Sequence, residues 1–247
     1  MVCATGPGVG WSAVHSVVTL AGVSTDVLPL TDRTRLTRLR ERQVRDRAEL
    51  HAILDAGLVA HVAVCRDGAP MLLPMAYARD GDRLLLHGST GGGLLRAAAA
   101  GVPVAVAVTH LDGIVYARTV FESSMNYRSV VVFGTPTVLE GHEKVEALRV
   151  LTDHLMPGRW DEVRPPTGQE LAATLVLAVR VDEASVKVRT GGPSDEAADD
   201  PGTWAGVLPL GTRAGAPVPA DDLGDDLLPT PAVLAALAQH AGLGASA

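Results

Sequence analysis

Three apolar runs of five to eight residues, separated by tight polar turns, narrow what this chain can form. Residues 58–65 are continuous and apolar, Arg66-Asp67-Gly68-Ala69-Pro70 reads as a turn, and residues 71–78 make a second run. Asp80-Gly81-Asp82 then reverses the chain into residues 83–87. Runs this short, punctuated by Gly, Asp and Pro, read as an antiparallel meander rather than as helices, which need a longer 3.6-residue period.

The same rhythm continues downstream. Residues 102–109 and 114–121 read as strands joined by a hairpin at Asp112-Gly113, and residues 127–139 as a long β-branched strand with Gly134 and Pro136 marking a bulge or edge. Residues 174–181 and 185–189 complete the set. Helices are few. One covers 48–56, with Asp46 as N-cap, Glu49 completing a capping box and Gly57 ending it; an amphipathic one covers 143–155. A short helix is expected over 167–173 and a terminal one over 231–241. The expected fold is mainly β (α+β): a small barrel, closed or nearly so, of six to eight mostly antiparallel strands with flanking helices. It occupies residues 31–190, after a flexible extension over 1–30 and before an irregular Gly/Pro/Asp-rich tail over 191–247.

One connection breaks the meander. Leu84-Leu85-Leu86 is followed by His87-Gly88-Ser89-Thr90-Gly91-Gly92-Gly93 and then by Leu94-Leu95-Arg96-Ala97, which opens a helix. Hydroxyls, free backbone N–H groups and a helix N-terminus suit an anion, and phosphate is the first candidate. The alternative is a plain glycine-rich link between strand and helix. The loop matches neither the P-loop nor the Rossmann glycine pattern, which argues against an NTPase or a dinucleotide dehydrogenase.

Charge and composition exclude other classes. The formal charge is -7 and aromatics are 3% of residues, so no basic or stacking surface for nucleic acid is expected. Arg33, Arg35, Arg38, Arg40, Arg42, Arg45 and Arg47 crowd one segment, which reads as a solvated strap rather than a nucleic-acid arm. Cys3 and Cys65 form no CxxC, which suggests a reducing compartment, and the histidines show no metal-site spacing. Residues 14–30 lack the features of a signal peptide or a membrane span, so a cytoplasmic protein is expected. No nucleophile elbow or cysteine–base pair supports acyl transfer, and no residue stands out as an essential acid or base.

Several segments together resemble the pyridoxamine 5′-phosphate oxidase-like, FMN-binding split-barrel superfamily, in its flavin-nucleotide-binding, nitroimidazole-resistance-like branch. They are Ala52-Ile53-Leu54-Asp55-Ala56-Gly57 with His61-Val62, Pro74-Met75-Ala76-Tyr77, Leu86-His87-Gly88-Ser89, Ser124-Met125-Asn126-Tyr127-Arg128-Ser129-Val130, Pro157-Gly158-Arg159-Trp160, Val186-Lys187-Val188-Arg189 and Trp204-Ala205-Gly206-Val207. The resemblance implies a homodimer with an FMN in each of two clefts between subunits, acting as an oxidoreductase on a small molecule. It implies that Pro74, Met75, Ala76 and Tyr77 face the isoalloxazine, and that His87, Gly88, Ser89, Thr90 and Gly93 meet the phosphate. Tyr127, Arg128, Ser129 and Val130 would reach across the dimer, and Trp204 would lie over the flavin edge. His61 is either a core histidine or a flavin contact, and His87 either a ligand or a loop cap.

Two departures from the family pattern matter. Gly92-Gly93 stand where the family loop carries Arg or Lys, leaving Arg96 or Arg128 as the cation; Glu122-Ser123 replace histidines. The acidic tail, with Asp221, Asp222, Asp225 and Asp226, argues against true pyridoxamine phosphate oxidation. A non-catalytic flavin carrier, or a barrel holding deazaflavin or haem, remains an alternative.

Overall fold

The Asp67-Gly68 pair takes positive φ at both positions (54° and 78°), as a two-residue hairpin turn between twisted strands requires. It joins β2 (Val59–Arg66) to β3 (Ala69–Asp80), and a second tight turn at Gly81 leads to β4 (Arg83–Ser89). The computed structural model describes residues 27–195, 200, 202–224 and 227–240. Most of the expected N-terminal extension, with Cys3, and the tail residues Asp225 and Asp226 lie outside them.

Around this meander the chain adds β1 (Gln43–Val44), α1 (Arg47–Ala56), α2 (Gly93–Ala99), β5 (Val104–Tyr116), β6 (Ser124–Gly134) and β7 (Thr137–Val138). Then follow α3 (Gly141–Leu155), α4 (Arg159–Glu162), α5 (Gly168–Ala173), β8 (Thr174–Arg180), β9 (Ala184–Arg189), β10 (Gly206–Pro209) and α6 (Pro231–His240). Strand order is β1-β9-β6-β5-β2-β3-β4-β8-β7, with β10 added to β5, and every pairing is antiparallel. The two ends do not meet, so the sheet is an open, split barrel. Its ten strands exceed the six to eight expected because β1, β7 and β10, at two to four residues, are too short to show a period.

Two other expectations change. Asp112-Gly113 is no hairpin: β5 runs straight through it with a register shift against β6 between Leu111 and Gly113. The reversal comes at residues 117–123, because Arg128 on β6 holds the Asp112 carboxylate by a fork of 2.8 and 3.0 Å inside the ladder. The tail is not wholly irregular, since β10 pairs with β5 from Gly113 to Tyr116. Asp46 caps α1 by accepting the Ala48 N–H at 2.8 Å, while a reciprocal capping box forms at Thr167 and Glu170 ahead of α5.

Inward-facing Val62, Val64, Val106, Val130, Val132, Leu86, Val179 and Val186 form the main core, closed by Leu50, Ile53 and Leu54 of α1 and Leu94, Leu95 and Ala98 of α2. A second cluster lies under α3, from Ala78, Leu85, Val176, Ala147 and Leu151. Tyr77 is fully buried, and its hydroxyl donates to the Leu54 carbonyl, tying β3 to the end of α1. Burial, helped by the nearby Asp55 charge, pushes its ionisation well above the ordinary range. Gly57 permits that contact, since a Cβ there would sit 2.5 Å from the Tyr77 hydroxyl. The strap is anchored by Arg47, whose guanidinium lies 3.0 Å from Asp82, and His51 Nε2 approaches the same oxygen at 3.0 Å.

Tyr77→Phe should destabilise the fold by about 1–3 kcal/mol, because the Leu54 carbonyl keeps only the long 3.4 Å bond from the Gly57 N–H; an unchanged denaturant midpoint would refute that role. Burial works to raise the Asp82 carboxyl, but Arg47 and His51 outweigh it and hold it below the ordinary 3.8. With the folded value below the unfolded one, its stabilisation is complete above 3.8 and is lost as pH falls through the lowered value. The melting-temperature gap between wild type and Asp82→Asn should therefore be widest near neutrality and close in acid; a gap independent of pH would contradict the linkage.

Candidate functional site

Two interruptions in strand pairing expose the polar groups of the fold. The first is at β3. Its residues 69–76 pair with β2, whereas only residues 77–80 pair with β4. Beyond Leu86, residues His87, Gly88 and Ser89 pair with β8 alone. Among the described residues, one edge of β3 from 69 to 76 therefore has no strand against it, and its backbone groups remain available to a ligand. Pro74 is exposed there, and Met75 and Ala76 are half-buried. Tyr77, expected beside them, belongs to the core instead.

The β4–α2 loop adjoins this opening. The N–H of Thr90 donates to Ala173 O at 3.0 Å, that of Gly91 to Ser89 Oγ at 3.1 Å and that of Gly92 to Ser89 O at 2.9 Å. The first bond inside α2 runs from Arg96 N to Gly92 O, leaving the N–H groups of Gly93, Leu94 and Leu95 without an intrahelical acceptor. The loop's free donors thus start at Gly93, later than the His87–Gly93 stretch suggested, and the exposed Thr90 hydroxyl stands beside them. Gly88 lets Leu95 pack closely, since a Cβ would approach Leu95 Cδ1 to 2.6 Å and push that methyl aside. His87 is half-buried with an Nδ1 that meets no partner among the described residues, and desolvation lowers its pKa, so the ring is neutral at pH 7.

A second cation, Arg66, stands at this loop besides Arg96, although its Nε also lies 3.5 Å from Asp67. Arg66, at the end of β2, brings Nη1 to 4.0 Å from the position of a Gly93 Cβ. Arg96 is exposed on α2. Arg128 is elsewhere, its charge engaged by Asp112, whose hydrogen bonds raise the guanidinium's pKa further.

The second interruption lies along β5. Its pairing with β2 stops at His61 opposite Ala107, and its pairing with β10 begins at Gly113 opposite Pro209. Between these ladders the chain leaves a cavity of about 990 Å³, walled by residues 56–59, His61, residues 108–112, Arg128, Thr190, residues 209–214 and His240. His61 is therefore no core histidine but an exposed side chain on the cavity wall. His110 Nε2 is tied to Ile53 O at 2.9 Å, whereas His240 Nε2 is buried with no partner among the described residues. Asp112, His110 and His240 had no motif spacing to reveal them.

The remaining candidates separate. Val130 is in the core, and Ser129 donates to Lys187 O at 3.2 Å. Tyr127, on the strand face opposite Arg128, lies under the Lys187 ammonium at 5.9 Å from its ring centroid. Trp204 is 68% exposed and leans against Tyr116, with centroids 6.0 Å apart. Within one chain, then, Pro74–Ala76 lie on the free edge of β3 and Gly93 beside Arg66, while His61 and Arg128 share the β5 cavity.

Residues 46–188 match the family described as pyridoxamine 5′-phosphate oxidase. No curated protein matches. Among solved structures, the chain is similar to one described as the FAD and heme binding protein from Mycobacterium smegmatis, at 46% identity and a TM-score of 0.76, covering 78% of this chain and 96% of that one. It is also similar to the flavocytochrome Anf3 from Azotobacter vinelandii, at 35% identity and a TM-score of 0.78, covering 83% and 96%. A putative 5-nitroimidazole antibiotic resistance protein from Bacteroides thetaiotaomicron shares the fold at 22% identity and a TM-score of 0.52, covering 59% and 86%. With its open split barrel and a family match spanning more than half its length, the chain belongs to the pyridoxamine 5′-phosphate oxidase-like family.

Proposed function

We propose that this protein binds a flavin nucleotide at the free edge of β3 and serves as a small-molecule oxidoreductase. The observation that carries the reading is the unpaired edge at residues 69–76 beside a loop with open N–H donors at Gly93, Leu94 and Leu95 and a cation at Arg66. An isoalloxazine needs an apolar slot with a few backbone hydrogen bonds, and its phosphate needs donors and a cation; this opening offers both. The family resemblance points to FMN, but the relative at 46% identity is described as binding FAD, and that favours FAD. A homodimer follows from the same reading, with the β6 wall of one copy, including Arg128, closing over the β3 edge of the other. The exposed Leu72, Leu73 and Met125 are surface such a contact would cover. The free, exposed Cys65 accords with a reducing cytoplasm, and among the described residues no helix is long and apolar enough to cross a membrane.

A second group, haem, belongs in the β5 cavity. The supporting observation is the buried, unpartnered Nε2 of His240, with His61 on the same wall, because imidazole nitrogen is a common axial ligand of haem iron. The relatives at 46% and 35% identity are described as a FAD and heme binding protein and as a flavocytochrome.

The purified protein should show flavin absorbance, and the released cofactor should run with FAD on chromatography; a colourless protein that ignores added FAD and FMN would end the flavin reading. Anaerobic bleaching by a reduced nicotinamide separates an oxidoreductase from a passive carrier. Arg66→Ala should weaken flavin binding by about 1–3 kcal/mol in a fluorescence titration, and an unchanged affinity would remove Arg66 from the site. His240→Ala should lose the Soret band of the haem-reconstituted protein while keeping its flavin; a retained band would reassign the ligand.

A further inference from the structure

The arginine-rich strap does more than tie the N-terminal segment down. Six of its seven arginines fall into two groups. Arg33 is engaged by Glu183, Arg47 by Asp82, and Arg42 lies 3.9 Å from Glu41. Arg35, Arg40 and Arg45, by contrast, have no carboxylate within reach among the described residues, although the chain as a whole carries an excess of acid. These three, all exposed at the surface, line with Leu30, Leu36 and Gln43 a separate open pocket of about 240 Å³.

The local backbone is built to bring them together. Gln43 spends both ends of its amide on the strap, accepting from Leu36 N at 3.0 Å and donating to Thr34 O at 2.7 Å. Leu39 is held in the left-handed region at φ 54°, a conformation unfavourable for a branched side chain, and the turn it makes leads directly into Arg40. Arg45 Nε is fixed on Leu28 O at 3.0 Å, which leaves its two terminal nitrogens to other acceptors. Three like charges around one small cavity repel one another unless an anion joins them, and guanidinium forks match the oxygens of phosphate in pairs.

We propose that this cavity is a binding site for a phosphoryl group, held by Arg35, Arg40 and Arg45. Leu30 and Leu36 supply an apolar wall for whatever the phosphate is attached to. The site is distinct from the flavin opening, because it lies beside β1 at one end of the strand order, whereas β3 lies five strands along. The cavity's small volume suits one phosphate-sized head rather than a polymer, in keeping with the acidic charge of the whole chain. Free phosphate and the terminal phosphate of a nucleotide present the same chemistry to it.

The test is a calorimetric titration of the full-length protein at constant ionic strength with inorganic phosphate and, separately, with adenosine 5′-monophosphate, using chloride as the control anion. Saturable binding of one equivalent is expected, weakened at least tenfold in Arg35→Ala/Arg40→Ala and unchanged in Arg38→Ala, a strap arginine that does not line the cavity. Flavin content should be the same in all three proteins, so failure of the flavin reading leaves this result interpretable. Tighter binding of the nucleotide than of phosphate would identify a nucleotide ligand, and equal binding would identify free phosphate. If the double variant loses its fold, Arg40→Gln, which removes one charge and keeps most of the side chain, should still weaken binding several-fold. Non-saturable binding, displacement by chloride alone, or full affinity in the folded variants would overturn the site.

Discussion

The pairing of β5 is the constraint on which the rest of the molecule depends. This strand is thirteen residues long and must satisfy β6 along one edge, while β2 and β10 share the other. The two partners on the shared edge do not meet, because β2 begins only at Val59, where the chain leaves α1, and β10 arrives from the tail. Residues 108–112 are left between them, and the large cavity is the volume that this mismatch encloses. The Arg128–Asp112 fork holds the register shift at that point. Gly113 then lets β10 approach, with Leu208 O only 3.0 Å from where a Cβ would stand.

The opening at β3 arises the same way. A twisted strand of twelve residues cannot keep two straight neighbours along its whole length, so β3 pairs with β2 at one end and with β4 at the other. Both candidate sites are consequences of a sheet that fails to close, and each is lined by backbone that closure would have consumed. A tightly sealed barrel of the same composition would have a larger core and nowhere to place a ring cofactor.

Two Asp-Gly pairs show where local sequence signals hold and where they fail. At Asp67-Gly68 nothing outside the hairpin competes, and both residues take the positive φ that the dipeptide favours. At Asp112-Gly113 the carboxylate finds Arg128 on the neighbouring strand, and the chain stays extended. The dipeptide is the same; the partner sixteen residues away decides its conformation. The tail strand β10 went unread for a related reason, since four residues carry no period and owe their form to the edge of β5.

The sequence alone determined the antiparallel meander, the Asp46 cap and Gly57 end of α1, the family resemblance and the glycine loop opening a helix, because each rests on contacts between near neighbours or on motifs in linear order. It also marked Pro74, His87 and Arg128 as residues to watch. Only the tertiary structure decided which of them share a site: Tyr77 and Val130 went to the core, His61 to a cavity wall, Arg128 to Asp112, and Arg66 came to stand at the glycine loop alongside Arg96. The same holds for His240, which reaches the cavity from the far end of the described chain. Such placements follow from twist, strand exchange and the competition of distant partners for the same backbone edge, and none of these leaves a periodic trace in the order of residues.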